Sequence, residues 1–179
     1  MTEQNNSAQN VGQAEKPCLV ETTQGFSVLY KQKFLYSKYN PSKLILNTIN
    51  QLNILPGTII LCCSPVLPYG LKELKQKLPE NCLILIIEAE KALKDFINSQ
   101  KEFSEFPILS QKEIYDLPVI FNKKNYILEC GLKLKNPGTY KRVISINFSS
   151  GTQFNQELYK ELEKASEQSI MTFWTNRIT

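Results

Sequence analysis

The amino-acid sequence predicts an α/β domain of Rossmann-like type, with three layers, a mostly parallel sheet, an N-terminal β-hairpin and a long C-terminal helix. Two short apolar runs, 58–63 and 82–87, are continuous rather than alternating, which is typical of buried parallel strands. Between them, Leu71, Leu74 and Leu78 recur at helical spacing and predict a crossover helix. A strand, helix and strand in this order form the half-module of nucleotide-binding α/β domains.

The length of 179 residues predicts one domain, at 17–179, preceded by a short tail. The tail, 1–16, carries almost no large apolar side chain, so we expect it to be disordered. It also lacks the apolar segment of a signal peptide, and no apolar run reaches the roughly 18 residues of a transmembrane helix. We therefore expect a cytoplasmic protein without a membrane partner.

Cysteine and histidine usage limits the chemistry. The five cysteines form no CxxC pair, and we expect buried thiols in a reducing compartment. Histidine is absent, which excludes an imidazole general base and leaves no plausible zinc ligand set. The cysteines are Cys18, Cys62, Cys63, Cys82 and Cys130.

The N-terminal part predicts strands followed by a helix. Alternating aromatic and aliphatic positions within 18–36 predict a hairpin or a small meander. Asn40 is the expected side-chain cap of the next helix, and Pro41 suits its first position because no N–H is needed there. Ile45 and Ile49 lie on the apolar face of that helix.

The C-terminal part predicts further helices and one more strand. A helix follows the second apolar run and includes Leu93 and Ile97, whereas 102–138 shows no clean periodicity apart from a short helix near 111–121. The later expected elements are a turn at 136–138, a strand at 139–148 and a final helix from about 153 onward, which Thr152 can cap.

Candidate ligand-binding residues lie where the two apolar strands end. In doubly wound folds a ligand sits beyond the carboxyl ends of the strands, so Ser64, Tyr69 and Gly70 in the first turn are candidate cofactor-binding residues. Glu88 ends the second strand, where an acidic side chain commonly accepts hydrogen bonds from ribose. The alternative for Glu88 is a solvated or helix-capping carboxylate, which we favour until the turn is shown to be open.

Two prolines in the same turn argue against a phosphate cradle. Pro65 and Pro68 each remove a backbone N–H, whereas close approach to a pyrophosphate requires glycines. Catalytic residues are therefore not identified, and no cofactor is assigned with certainty. A CMP-sugar and S-adenosylmethionine are the candidate ligands.

The last helix offers a candidate docking surface. Phe173, Trp174 and Arg177 lie at its end, and the spacing of the last two allows the guanidinium to lie over the indole. A packing role for Trp174 is the competing interpretation. We expect this helix to contact a protein partner or a separate catalytic domain.

Five short motifs together carry a family resemblance. In this order, they resemble landmarks of the N-terminal domain of motility-associated factor (Maf) glycosyltransferases, whose members are also labelled 6-hydroxymethylpterin diphosphokinase MptE-like. The resemblance spans roughly 18–179 and is greatest to the spirochaete versions. The motifs are FLYSKYNP at 34–41, PYGL at 68–71, IIE at 86–88, KRV at 141–143 and FWTNR at 173–177.

This resemblance implies a domain of a larger protein. In the family, a Rossmann-like N-terminal domain precedes a central domain that transfers a nonulosonic acid from its CMP-activated form to flagellin. The chain is then a truncated or standalone N-terminal domain that lacks the transferase centre. The glycine-rich turn of the relatives falls here on Ser64, Val66 and Pro68, which puts nucleotide binding through this turn in doubt.

The sequence thus leaves three functional hypotheses. The first is a non-catalytic Rossmann-like domain that docks on a partner, and the alternative is a transferase dependent on a sugar nucleotide or S-adenosylmethionine. Nucleic-acid binding is third and is not favoured, because the charge balance is only mildly basic and the densest basic segment has no interleaved aromatic platform. That segment contains Lys123, Lys124, Lys133, Lys135, Lys141 and Arg142.

Overall fold

The computed structural model describes residues 15–135 and 139–178 as a mixed α/β fold. The tail at 1–14 and the turn expected at 136–138 lie outside the described residues. The strands are β1 (Cys18–Thr22), β2 (Gly25–Tyr30), β3 (Lys33–Phe34), β4 (Thr58–Cys63), β5 (Leu83–Ile87), β6 (Asn125–Ile127), β7 (Lys133–Lys135) and β8 (Arg142–Asn147). The helices are α1 (Lys43–Gln51), α2 (Leu71–Lys77), α3 (Lys91–Asn98), α4 (Gln111–Ile120) and α5 (Gln156–Ile178).

The central sheet has the strand order β5-β4-β8, and all of its described pairings are parallel. Ile59 lies beside Leu83 on one side and beside Val143 on the other, and Cys63 lies beside Ile87. α2 connects β4 to β5, as the sequence predicts. The parallel pairing of the two apolar runs is therefore confirmed.

Helices cover both faces of this sheet. Alternate residues of β4, such as Ile59 and Leu61, pack with apolar side chains of α4 and α5. The intervening residues, Ile60 and Cys62, pack with side chains of α1 and α2, including Ile49. Burial on both faces explains why these strands are continuously apolar.

The N-terminal strands form a separate antiparallel sheet in the order β1-β2-β3, which confirms the meander interpretation. Val28 and Tyr30 of β2 are buried in a third cluster together with Val66 and Leu67. These last two residues belong to the turn that follows β4. The small sheet therefore packs onto the carboxyl end of the central sheet.

The predicted start of α1 is wrong. The helix begins at Lys43, and Ser42 at its N-cap makes no side-chain capping bond. The Ser37 hydroxyl instead accepts hydrogen bonds from the amides of Tyr39 (3.1 Å) and Asn40 (3.3 Å). Asn40 therefore belongs to a local turn, and the helix begins two residues later than predicted.

The short helix expected near 111–121 is confirmed as α4, which begins with a complete capping box. Ser110 Oγ accepts from the Glu113 amide (3.2 Å), and Glu113 Oε1 accepts from the Ser110 amide (3.0 Å). β6 and β7 then form an antiparallel hairpin within the segment that shows no clean periodicity in the sequence.

The start of the final helix and the state of the thiols also differ from the predictions. A 3-10 helix at Ser150–Asn155 precedes α5, and Ser149 rather than Thr152 supplies the side-chain acceptor at its start.

Of the five cysteines, Cys62 and Cys63 are buried as predicted. Cys82 is half-exposed, because it lies before β5 and not within it. Cys18 and Cys130 are exposed.

Candidate functional site

The candidate site lies at the carboxyl ends of β4 and β5. Because Cys63 pairs with Ile87 in parallel register, the residues that follow them, Ser64 and Glu88, emerge at the same edge of the sheet. The Ser64 amide donates to the Ile87 carbonyl across 2.8 Å. Ser64 has a φ of 51°, in the left-handed region, so the chain turns sharply as it leaves β4.

Glu88 is buried at this edge, with an exposed fraction of 1%. Ser64 Oγ donates to Glu88 Oε2 across 2.5 Å, and the Glu90 amide donates to Oε1 across 2.9 Å. The hydroxyl of Tyr159, on α5, lies 3.5 Å from the same Oε1. Glu88 is therefore not the solvated carboxylate of the competing interpretation, and its carboxyl group contacts other parts of the protein.

Burial dominates the electrostatics of this carboxyl group. It raises the pKa of Glu88 to about 7, although the hydrogen bonds from Ser64, the Glu90 amide and Tyr159 act in the opposite direction. Burial also raises the pKa of the Tyr159 hydroxyl, and the nearby Glu88 charge adds to that increase. Near neutral pH, the Glu88 carboxyl group is therefore partly protonated, and the Tyr159 hydroxyl beside it is neutral.

The segment after β8 closes the site from another side. Ser149 Oγ donates to the Ser64 carbonyl across 2.6 Å and accepts from the Gly151 amide across 3.0 Å. Gly151 packs so closely that a Cβ atom there would overlap Ser64 Oγ. Only glycine therefore leaves room for the Ser64 hydroxyl in its present position.

The remaining candidate residues of the turn point to other contacts. The Tyr69 hydroxyl accepts from the Phe26 amide (3.0 Å) and donates to the Phe26 carbonyl (2.9 Å). Gly70 has a φ of 82° and lies against Ile45 and Ile49 of α1, where a side chain would collide with Ile49. Tyr69 and Gly70 therefore tie the turn to the N-terminal sheet and to α1.

Of the four candidate cofactor-binding residues, the structure brings Ser64 and Glu88 together and directs Tyr69 and Gly70 elsewhere. Tyr159, Ser149 and Gly151 were not identified from the sequence. The small-residue run at 149–151 directly follows a predicted strand and was a usable signal for a close approach of the backbone. Nucleotide binding at these residues remains a prediction.

Glu90 lines a cavity of about 690 Å³ together with Tyr30 and Lys31. Tyr30 Oη donates to Glu90 Oε1 across 2.7 Å, and Lys31 Nζ lies 3.1 Å from the same oxygen. Burial alone would raise the pKa of Glu90, but the hydrogen bonds from Tyr30 and Lys31 outweigh it and lower the pKa. Glu88 and Glu90 are thus two residues apart with pKa values shifted in opposite directions.

The predicted docking residues divide into two roles. Trp174 Nε1 donates to the Tyr140 carbonyl across 3.0 Å, and the indole packs against the core beneath α4 and α5. The Arg177 guanidinium lies 5.1 Å from the centre of the Phe173 ring, so its cation–π contact is with Phe173 and not with the indole that the spacing allowed. Arg177 is exposed and Phe173 is half-buried.

No family model matches the chain, and no solved structure matches it. The chain is similar to an uncharacterized protein of Treponema pallidum (strain Nichols), with 28% identity over 163 residues. The match covers 91% of this chain and 27% of that relative. The chain therefore spans about a quarter of the length of the relative.

Within 15–135 and 139–178, no helix combines the length and the apolar character needed to cross a bilayer.

Proposed function

We propose that this chain is a non-catalytic, Rossmann-like domain of a larger, motility-associated glycosyltransferase-like protein. In this proposal it acts by docking on a protein partner or on a catalytic domain. The order of the five sequence motifs supports the family, and the parallel sheet with helices on both faces supports the Rossmann-like assignment. The Treponema relative supports membership of a larger protein, because the matched region is only 27% of its length.

The main support for a non-catalytic role is the hydrogen bond between Ser64 and Glu88, which lies at the position where doubly wound folds bind their ligand. Ser64 and Glu88 have exposed fractions of 0% and 1%, so neither presents its polar atoms to solvent. A ribose would have to replace the Ser64 hydroxyl as the partner of the carboxylate. The chain's own side chains thus satisfy the group that a nucleotide would use.

In this proposal, the accessible residues of α5 contact the partner. Trp174 is not among them, because its indole binds the Tyr140 carbonyl and holds the helix against the rest of the domain. Phe173 and Arg177 lie beside it in cation–π contact, and Met171 on the same helix is 64% exposed. An apolar and cationic helix end of this kind fits a partner surface that presents apolar and acidic side chains.

The alternative, a small transferase, requires an open pocket around Ser64 and Glu88. It predicts that the turn at 64–70 moves to admit a sugar nucleotide or S-adenosylmethionine. Such a movement must break the bonds from Ser149 to Ser64 and from Ser64 to Glu88. The closed arrangement therefore favours the first proposal.

Isothermal titration calorimetry with CMP, a CMP-activated nonulosonic acid and S-adenosylmethionine tests the two proposals. We expect no binding at micromolar concentrations, since the position is filled. Micromolar binding that Glu88→Ala abolishes and Glu90→Ala preserves would overturn the proposal in favour of the transferase. Glu90 is the matched control because it is an acidic side chain two residues away with its own partners.

A further inference from the structure

β8 forms one edge of the central sheet. It pairs with β4 on one side, and within the described residues no strand pairs with its other side. The Phe148 amide, just after β8, donates inward to the Cys63 carbonyl across 2.9 Å. At the start of β8, the Gly57 carbonyl accepts from the amides of both Lys141 (2.7 Å) and Arg142 (3.4 Å).

Backbone groups alternate in direction along a strand, so every second residue of β8 faces outward. Counting back from Phe148, whose amide bonds Cys63, the outward-facing residues are Val143, Ser145 and Asn147. Their amides and carbonyls form no backbone bond to another described element. Ser145 is half-buried and Asn147 is exposed, and a polar cavity of about 290 Å³ adjoins them. An unpaired edge of this kind is a template for another strand.

We propose that β8 pairs with β8 of a second copy of this chain. The two strands run antiparallel about a two-fold axis that passes beside Ser145, and the result is a continuous six-stranded sheet. The sequence of β8 itself favours a second copy as the partner, because an isologous contact requires a strand that complements its own reverse.

The outward backbone groups satisfy this requirement. With the axis at Ser145, Ser145 lies opposite Ser145 of the partner subunit, and Val143 lies opposite Asn147 of the partner subunit. Each of these directly opposed pairs can exchange two N–H···O bonds. In this register, each of the three outward-facing residues of one copy lies opposite an outward-facing residue of the other copy. A shift by two residues would leave one of the three without such a partner.

The side chains are also compatible across the axis. Ile144 lies opposite Ile146 of the partner subunit, which extends the apolar cluster on the α1 side of each sheet. Arg142 lies opposite Phe148 of the partner subunit, so the two Arg142 charges do not face each other. Like charges directly opposed would destabilise such a pair, and β8 has none in this register.

The oligomeric state of the 179-residue chain, measured by light scattering and sedimentation velocity across the micromolar range, tests this contact. We expect the wild type to be a dimer. Ser145→Pro should yield a monomer, because the proline removes an outward amide that the single chain does not use. Ser145→Ala is the matched control: it keeps that amide and should remain dimeric. Circular dichroism checks that each variant is folded.

A charge exchange locates the axis without depending on proline. Ser145→Lys and Ser145→Glu each place two like charges opposite each other, so each variant alone should be monomeric. An equimolar mixture should form heterodimers, because Lys then faces Glu. A monomeric wild type overturns the proposal, as does a dimer that persists in Ser145→Pro or that forms equally well in the separate charge variants.

Discussion

Ser64 Oγ donates a hydrogen bond of 2.5 Å to Glu88 Oε2, although 24 residues separate the two along the chain. The bond joins the residues that follow two adjacent parallel strands. It therefore depends on the register of the sheet as much as on the two side chains.

The first prediction concerns the pH dependence of stability. The folded-state pKa of Glu88, about 7, lies above its unfolded value, so the folded protein binds the proton more tightly. The free energy of unfolding should therefore decrease as pH rises from about 4.5 to 7, by up to about 1.4 kcal/mol for each pH unit, and then level off. Glu88→Gln should remove this decrease. Urea unfolding at several pH values, followed by the fluorescence of Trp174, measures it.

Glu90 provides the opposite control. Its partners Lys31 and Tyr30 lower its pKa in the folded state, so its contribution to stability is present above the unfolded pKa and is lost as pH falls. Glu90→Gln should therefore flatten the acidic side of the stability profile and leave the decrease toward pH 7 in place. An identical pH profile for Glu88→Gln and wild type would contradict the assignment.

Sequence patterns predicted the fold well where burial alone decides the structure. The apolar run of β4 needs two covered faces, so parallel pairing and flanking helices follow from it. The start of α1 was wrong because Ser37 accepts the Asn40 amide, and such local competition leaves no periodic signal.

The candidate site was predicted only in part, for a different reason. Ser64 and Glu88 are found from the ends of their strands. Ser149 and Tyr159, which complete the site, lie 85 residues from Ser64 and 71 from Glu88. Such long-range contacts are set by the packing of β8 and α5. The small residues at 149–151 indicate a close approach of the backbone, but no local pattern identifies Ser64 as the residue approached, so the closure of the turn was not predicted.

The second prediction separates packing from docking in α5. Trp174→Ala should lower the free energy of unfolding by about 2 kcal/mol, because it removes a half-buried ring and leaves the Tyr140 carbonyl without its donor. Arg177→Ala removes an exposed side chain and should change it by less than about 0.5 kcal/mol, and Phe173→Ala should cost less than Trp174→Ala because no hydrogen bond is lost. Thermal unfolding followed by circular dichroism measures all three. A larger loss for Arg177→Ala than for Trp174→Ala would contradict this division.

The third prediction concerns the capping box of α4. Glu113 is fully buried, and its second oxygen, Oε2, accepts from the Glu129 amide across 2.9 Å. Glu113→Ala should therefore cost about 2 kcal/mol of stability and expose the Glu129 amide to hydrogen exchange. Ser110→Ala, which removes only the cap, should cost about 1 kcal/mol and leave the Glu129 amide protected. Equal exchange of this amide in both variants would show that Glu113 does not hold the loop.

The last prediction concerns the contact between Gly151 and Ser64. Gly151→Ala places a Cβ atom on the Ser64 hydroxyl and should cost about 2 kcal/mol, since both backbones are held by neighbouring bonds. Ser64→Ala should cost about 1–2 kcal/mol, because Glu88 loses a donor. The loss in free energy of unfolding of the double variant should be at least about 1 kcal/mol smaller than the sum of the two single losses, because alanine at position 64 has no hydroxyl oxygen to overlap the new Cβ atom.

Urea unfolding of the four proteins in this double-mutant cycle measures the coupling between the two positions. Gly151→Ala combined with Ser110→Ala is the matched control. Its effects should add to within about 0.5 kcal/mol, because the capping box of α4 shares no hydrogen bond with Ser64 or Ser149. Additive effects in the Ser64 cycle would mean that the Ser64 hydroxyl does not occupy the space beside Gly151. The closed arrangement around Glu88 would then be wrong.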